Sequence, residues 1–347
     1  MDTILNSGIN WIVALQNLGA WLTLPMKAFS FLGTEEFFML ILPALYWCID
    51  ARLGLRVGVI LLLSSGVNHA LKLAFHGPRP YWFSRQVSAF AFETSFGVPS
   101  GHAQTAAGVW GMLASGIPSR CCAKKRWAWL AAALIIFLIG LSRLYLAVHF
   151  PHDVILGWLI GGLLLWLTLR FWGAAAAWLE KRTLGEQILL AFAASLFMIL
   201  LSLPGLLWLQ ANWQMPAIWL QNAAQAFPEG ELPAPVALSG AITPAATLFG
   251  LLAGLAWFNR RGGFSTSGPA WKRILRYVIG LVGVLVFYIG LKMLFGIFVP
   301  DVEALLAYIL RYVRYALVGA WVSAGAPFVF ILLKLADAQH LLGRKLE

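Results

Sequence analysis

Apolar residues run along this chain in long unbroken stretches. Nine of them, near 37–50, 53–75, 103–117, 127–147, 154–173, 186–208, 241–258, 274–299 and 314–335, approach or reach the length of a membrane helix, which takes about 20 residues. None alternates apolar and polar residues over about ten positions, as a transmembrane strand would. Lipid offers no partner to an open strand edge, so the runs predict helices. Residues 4–27 are mixed: Ile4, Ile9, Trp11, Ile12, Leu15, Leu18, Trp21 and Leu22 alternate irregularly with Asn6, Asn10, Gln16 and Asn17. Two tryptophans and the polar interruptions predict a helix lying in the interface, with a tenth span as the alternative.

Composition narrows the class. Of 347 residues, 61% are hydrophobic and 11% are charged, and mean hydropathy is +0.79. Soluble domains carry about 25% charged residues, and disorder needs low hydrophobicity with high net charge. Both are excluded. The expected fold is an all-α, polytopic transmembrane helical bundle of about nine spans.

The formal net charge of +11 does not point to nucleic acid, because the basic residues sit between apolar runs and form no soluble basic domain. They read as topology signals. Seventeen of the 25 basic residues fall in one set of alternate loops, including Arg120, Lys124, Lys125 and Arg126, the run from Arg260 to Arg276, and Arg344 and Lys345. The other side holds Lys27, Lys72, Arg79, Arg85, Arg143, Lys292, Arg311 and Arg314. The first set is expected in the cytoplasm, with the C-terminus, in a cytoplasmic (inner) membrane. The loop 209–240 has no Lys or Arg, carries Glu229 and Glu231, and suits the outside. Residues 1–30 lack a basic n-region and a small-residue cleavage site, so the N-terminus is expected to be retained. Cys48, Cys121 and Cys122 fit neither a disulfide framework nor a metal-ligand spacing.

The chemistry lies on the outer side, where cations should be scarce. Lys72 and Arg79-Pro80 follow one run, Pro99-Ser100-Gly101-His102 precedes the next, and Ser142-Arg143, His149 and Asp153 bracket the turn between two more. Ionisable residues at membrane depth are costly and are functional candidates. Lys72, Arg79 and Arg143 offer three positive charges, and Arg forks match phosphate oxygens. Ser100-Gly101-His102 opens an apolar helix, whose free N–H groups and partial positive charge suit an anion. His149 and Asp153 are four apart, with Pro151 suited to the first helical position. A carboxylate on one imidazole nitrogen makes the other a better nucleophile or base. His102 is a second imidazole, able to protonate a leaving alkoxide and then activate water. Asp153 and Glu93 are thin for Mg²⁺. No metal and no cofactor is expected. The expected reaction is metal-independent phosphoester hydrolysis through a phosphohistidine.

Lys72-x6-Arg79-Pro80, then Pro99-Ser100-Gly101-His102, then Ser142-Arg143-x5-His149-x3-Asp153 resembles the three-part signature of the type 2 phosphatidic acid phosphatase superfamily. That superfamily includes lipid phosphate phosphatases and undecaprenyl pyrophosphate phosphatases. The resemblance implies His149 as nucleophile, Asp153 as its partner and His102 as acid/base. It assigns Lys72, Arg79, Ser100, Gly101 and Arg143 to phosphate binding. It implies a helical core with its site at the outer membrane boundary, facing the periplasm. The expected organisation is an interfacial helix over 1–30, a phosphatase core over 31–175 and a C-terminal transmembrane extension over 183–347. The signature gives the extension no role.

Other residues divide between site and scaffold. Arg85 can add a phosphate contact. Pro80, Tyr81 and Trp82 can line the pocket, the two aromatics being expected as interface anchors. Glu93 is expected to be an exposed loop acid, with contact to a head group as the alternative. His69, His76 and His152 have no place in the signature. Lys292, Arg311 and Arg314 are expected to pair internally, with Asp301 and Glu303 near, or to snorkel; a second head-group site is the alternative. The leading expectation is a lipid phosphatase acting on phosphatidic acid, phosphatidylglycerol phosphate or undecaprenyl pyrophosphate, taken from the bilayer. The rivals are a lipid phosphotransferase on the same chemistry and a non-catalytic lipid-binding or transport protein. The oligomeric state is not legible.

Overall fold

The computed structural model describes residues 2–118, 121–299, 301 and 304–338. Arg120, Glu303, Arg344 and Lys345, which entered the charge reading, lie outside the described residues. The described chain is helical and contains no strand. Seven helices or helix pairs are long and apolar enough to cross a membrane, or eight if one bent pair is a single span. Their apolar side chains largely face outward, Leu159, Leu163 and Trp166 among them. Only lipid accommodates so wide an apolar surface.

The expected nine spans are reduced at two places. The run 103–117 forms helix α6, Gly101–Ser115; 15 residues rise about 22 Å, short of a hydrocarbon core of about 30 Å. The run 37–50 belongs to a pair, Ala20–Phe31 and Glu35–Ile49, bent by 49°. The mixed segment 4–27 is itself broken. Helix α1 is Asp2–Gln16, and α2, Thr23–Phe31, follows after a turn and a short 3-10 segment.

The chain forms two compact units. The first comprises residues up to Phe38, Ser64–Arg170 and Leu200–Leu238. Besides α1, α2 and α6 it draws on α4 (Ala51–Phe75), the one-turn α5 (Pro80–Phe83), α7 (Cys122–Tyr145) and α8 (Pro151–Glu180). Helices α6 and α8 meet at close range. A Cβ on Gly157 would stand 2.6 Å from the Ser100 carbonyl oxygen, and one on Gly161 2.2 Å from that of Gln104. Gly157 and Gly161 thus form a small-xxx-small contact, whose dispersion packing replaces the hydrophobic drive that lipid removes. On the other side, α4 presents Ser64 and Asn68 to α6. Asn68 Nδ2 donates to Gln104 Oε1 at 2.9 Å and to Pro99 O at 3.2 Å, and Gln104 Nε2 donates to Ser64 O at 2.8 Å. The start of α6 is thereby fixed between two helices.

The second unit comprises Met39–Leu63, Phe171–Ile199 and the chain from Ser239. Trp47 is fully buried and donates to Val322 O at 2.9 Å, while buried Arg276 donates to the carbonyls of Trp47, Ser265 and Ser267. Arg314 is buried with its guanidinium over the rings of Tyr315 and Tyr288, at 4.8 and 5.7 Å.

Candidate active site

Each signature residue stands where a helix starts or ends. Helix α4 ends at Phe75, carrying Lys72 in its last turn. Arg79 lies between Pro78 and Pro80, and the residue before a proline is driven to extended backbone; its φ and ψ are −92° and 155°. Pro80 then begins α5 as its first residue, where its missing N–H costs nothing. Ser100 caps α6, accepting from Ala103 N at 3.4 Å. Arg143 sits in the last turn of α7, where a cation suits the helix dipole. The chain turns back through Ala147, in left-handed backbone at φ 57°, and the N–H groups of Val148 and His149 both reach Arg143 O. Asp153 accepts from Phe150 N at 2.9 Å, one half of a capping box at the start of α8. The backbone N–H of Ser100 donates to Asp153 O at 3.0 Å, joining the starts of α6 and α8.

These turns bring the sequence-predicted set into one buried cluster. Arg79 is its hub: Nε donates to Ser95 O at 2.7 Å, Nη1 to Val148 O at 2.9 Å, and Nη2 to Ser95 Oγ at 3.0 Å and Phe96 O at 3.2 Å. Lys72 Nζ donates to the same Ser95 hydroxyl at 2.8 Å. Arg143 Nη1 donates to Ser30 Oγ on α2. His149 Nδ1 lies 3.4 Å from Asp153 Oδ2, an ion-pair distance without hydrogen-bond alignment. Its Nε2 is 3.4 Å from Arg79 Nη1. Arg can only donate, so Nε2 carries the lone pair and Nδ1 the proton. Burial, with the positive charges of Arg79, Arg143 and Lys72, holds the His149 pKa well below the ordinary imidazole value. His102 Nε2 is buried and makes no hydrogen bond among the described residues. A Cβ on Gly101 would stand 3.0 Å from Asn68 Oδ1, so the α6 start sits tight on α4.

Three expectations change. Glu93 is not an exposed loop acid: its carboxylate bridges Arg79 Nη2, at 3.4 Å, and Arg143 Nη2. Burial opposes its ionisation, but Arg79 and Arg143 outweigh burial and hold its carboxyl well below the usual range. Tyr81 and Trp82 are not interface anchors. Pro80 turns α5 inward and buries both, and the Tyr81 hydroxyl donates to Glu93 O at 2.9 Å and accepts from Glu93 N at 3.1 Å. Arg85 points elsewhere: its Nε donates to Asn222 Oδ1 at 2.7 Å. Of the remaining histidines, His152 Nε2 lies 3.1 Å from Asp153 Oδ1. His76 packs on Phe96, Trp208 and Trp213.

Three cations, Lys72, Arg79 and Arg143, therefore share the cluster with two carboxylates, Glu93 and Asp153. The guanidinium of Arg79 lies beside the imidazole lone pair of His149. Among the described residues, no three of His, Cys, Asp and Glu are grouped as a metal site.

Fold and site define a class: a helical membrane protein with a buried cluster of cations and histidines built at helix ends. Within that class the chain belongs to the PAP2 superfamily. Residues 53–177 match the PAP2 superfamily, and residues 242–338 match the PAP2 superfamily phosphatase, transmembrane extension. The chain is 34% identical over 188 residues to glucose-6-phosphatase 3 of Homo sapiens, covering 48% of this chain and 54% of that protein. It is 31% identical over 179 residues to glucose-6-phosphatase catalytic subunit 1 of Haplochromis nubilus, covering 45% and 51%. The chain thus spans about half the length of the curated relatives it matches. Among solved structures it is similar to a transmembrane PAP2 type phosphatidylglycerolphosphate phosphatase from Bacillus subtilis, with 26% identity, a TM-score of 0.40, and coverage of 47% of this chain and 84% of that one.

Proposed function

We propose that this protein is a membrane-embedded phosphomonoesterase working through a phosphohistidine on His149. The observation that carries the reading is His149 held between Asp153 on Nδ1 and Arg79 on Nε2, inside a cluster of buried cations. The Nε2 lone pair attacks phosphorus, forming the N–P bond as the ester P–O bond breaks. His102 gives its proton to the leaving oxygen. Water then attacks phosphorus and yields a proton to His102, the N–P bond breaks, and inorganic phosphate leaves. Lys72, Arg79 and Arg143, with the Ser100 hydroxyl and the Gly101 N–H, neutralise the phosphoryl oxygens throughout. These cations perform the charge neutralisation that a metal performs in other phosphoryl-transfer enzymes, so turnover is metal-independent.

The substrate we propose is a lipid phosphate, presented at the outer face of the cytoplasmic membrane to a site at helix ends. The core is residues 31–175, flanked by the N-terminal segment 1–30 and the extension 183–347. A soluble sugar phosphate is the second reading, favoured by the glucose-6-phosphatases among the relatives. The test is phosphate release by purified protein in detergent with EDTA, from phosphatidic acid, phosphatidylglycerol phosphate, undecaprenyl pyrophosphate and glucose 6-phosphate. Release that persists in EDTA and disappears in His149→Ala supports the reading, and the preferred substrate selects the class. Loss of turnover in EDTA, or turnover retained by His149→Ala, overturns it.

A further inference from the structure

Glu93 makes a contact that the reaction above does not use. Its two carboxylate oxygens engage one terminal nitrogen each of Arg79 and Arg143. Those are donors that two phosphoryl oxygens would take, because carboxylate and phosphate present similar oxygen pairs to a guanidinium fork. Neither arginine is held by Glu93 alone. Arg79 has four shorter hydrogen bonds to Ser95, Phe96 and Val148, and Arg143 also holds Ser30. The main chain of Glu93 is gripped on both sides by the Tyr81 hydroxyl. Its side chain, by contrast, is 25% exposed, against 0% and 3% for its two partners. The backbone is thus pinned while the carboxylate retains a path to solvent.

We infer that Glu93 is a resident anion of the phosphoryl site: an incoming phosphoryl group displaces its carboxylate from Arg79 and Arg143, and its return displaces the phosphate product. The inference rests on the phosphomonoesterase reading. Glu93 stabilises the paired arginines between turnovers and weakens the hold on inorganic phosphate, which carries the same donors' ligands without a leaving group. Removing its charge while keeping its shape tightens phosphate binding and slows product release.

The experiment uses the full chain in detergent, with Glu93→Gln beside wild type, and inorganic phosphate and orthovanadate as probes. Hydrogen bonds to charged groups are worth about 1.5–3 kcal/mol, so Glu93→Gln is expected to bind phosphate roughly tenfold to a hundredfold more tightly. KM and kcat are expected to fall together. A structure of the wild-type protein with orthovanadate gives a measurement independent of the variant's folding. The oxyanion is expected to bridge Arg79 and Arg143, with the Glu93 carboxylate withdrawn from both. Unchanged or weaker phosphate binding by folded Glu93→Gln overturns the inference, as does vanadate bound while Glu93 keeps both contacts, and in either case wild-type turnover leaves the phosphomonoesterase reading standing. No turnover and no oxyanion binding by wild type removes both.

Discussion

The proposed mechanism uses His149 in one tautomer, the one that the Arg79 contact selects. Arg79 Nη1 faces Nε2, and Asp153 faces Nδ1. Asp153→Asn keeps the shape and loses the charge that orients the ring and stabilises its cationic adduct. Phosphate release should fall by roughly a hundredfold to ten-thousandfold with little change in thermal stability. The pH profile follows from the same surroundings. In the proposed mechanism the neutral imidazole is the nucleophile, and burial with nearby cations lowers its pKa. The acid limb of kcat/KM, which reports the free enzyme, should therefore fall below the ordinary histidine value of about 6.5; a limb at or above that value contradicts the assignment. At this scale the cationic and histidine positions were legible, because Lys and Arg at the outer ends of apolar runs break the charge pattern of a membrane protein. Glu93 and Ser95 were not. Their part depends on how the loop after α5 folds back over Arg79, and no periodicity encodes that path.

Helix ends place the site, so helix packing should control it. Gly157 and Gly161 let α8 approach the α6 backbone, which keeps Asp153 beside Ser100. Gly161→Val would force the helices apart. The cost of such overpacking is about 1–3 kcal/mol, seen as a lower melting temperature in detergent and a fall in kcat. A variant with unchanged kcat and melting temperature would show that this contact does not position the site. A second element reaches the same loop from α1: Gln16 Nε2 donates to Ser88 O at 2.7 Å, and Gln16 Oε1 accepts from Ser88 N at 3.0 Å. Gln16→Ala should raise amide exchange at Ser88 and raise KM more than it lowers kcat. Both features were present in the sequence, as Gly157 and Gly161 four apart and as Gln16 in a mixed segment. Read as hydropathy alone, the first disappears into an apolar run and the second argues only for an interface. The same averaging conceals the Ser64, Asn68 and Lys72 stripe on α4, and it counts α6 as a span although Ser100 caps it too close to its end at Ser115.

Across the whole molecule, α8 carries the topology. Its 30 residues rise about 45 Å, enough to cross the hydrocarbon core with both ends in polar surroundings. Asp153 stands at one end, and Lys181 and Arg182 follow the other. With the basic loops inside, an impermeant maleimide should label intact cells at Glu231→Cys and not at Glu180→Cys, in a chain whose own cysteines are replaced by Ser. The reverse pattern would put the site in the cytoplasm. The central claim is tested most directly by acid-free quenching of wild-type protein during turnover of a phosphomonoester, followed by mapping of covalent phosphate by mass spectrometry. The account predicts a phosphoryl group on the peptide bearing His149, absent from His149→Ala. Steady phosphate release with no label on His149, or a label on another residue that survives His149→Ala, would contradict it.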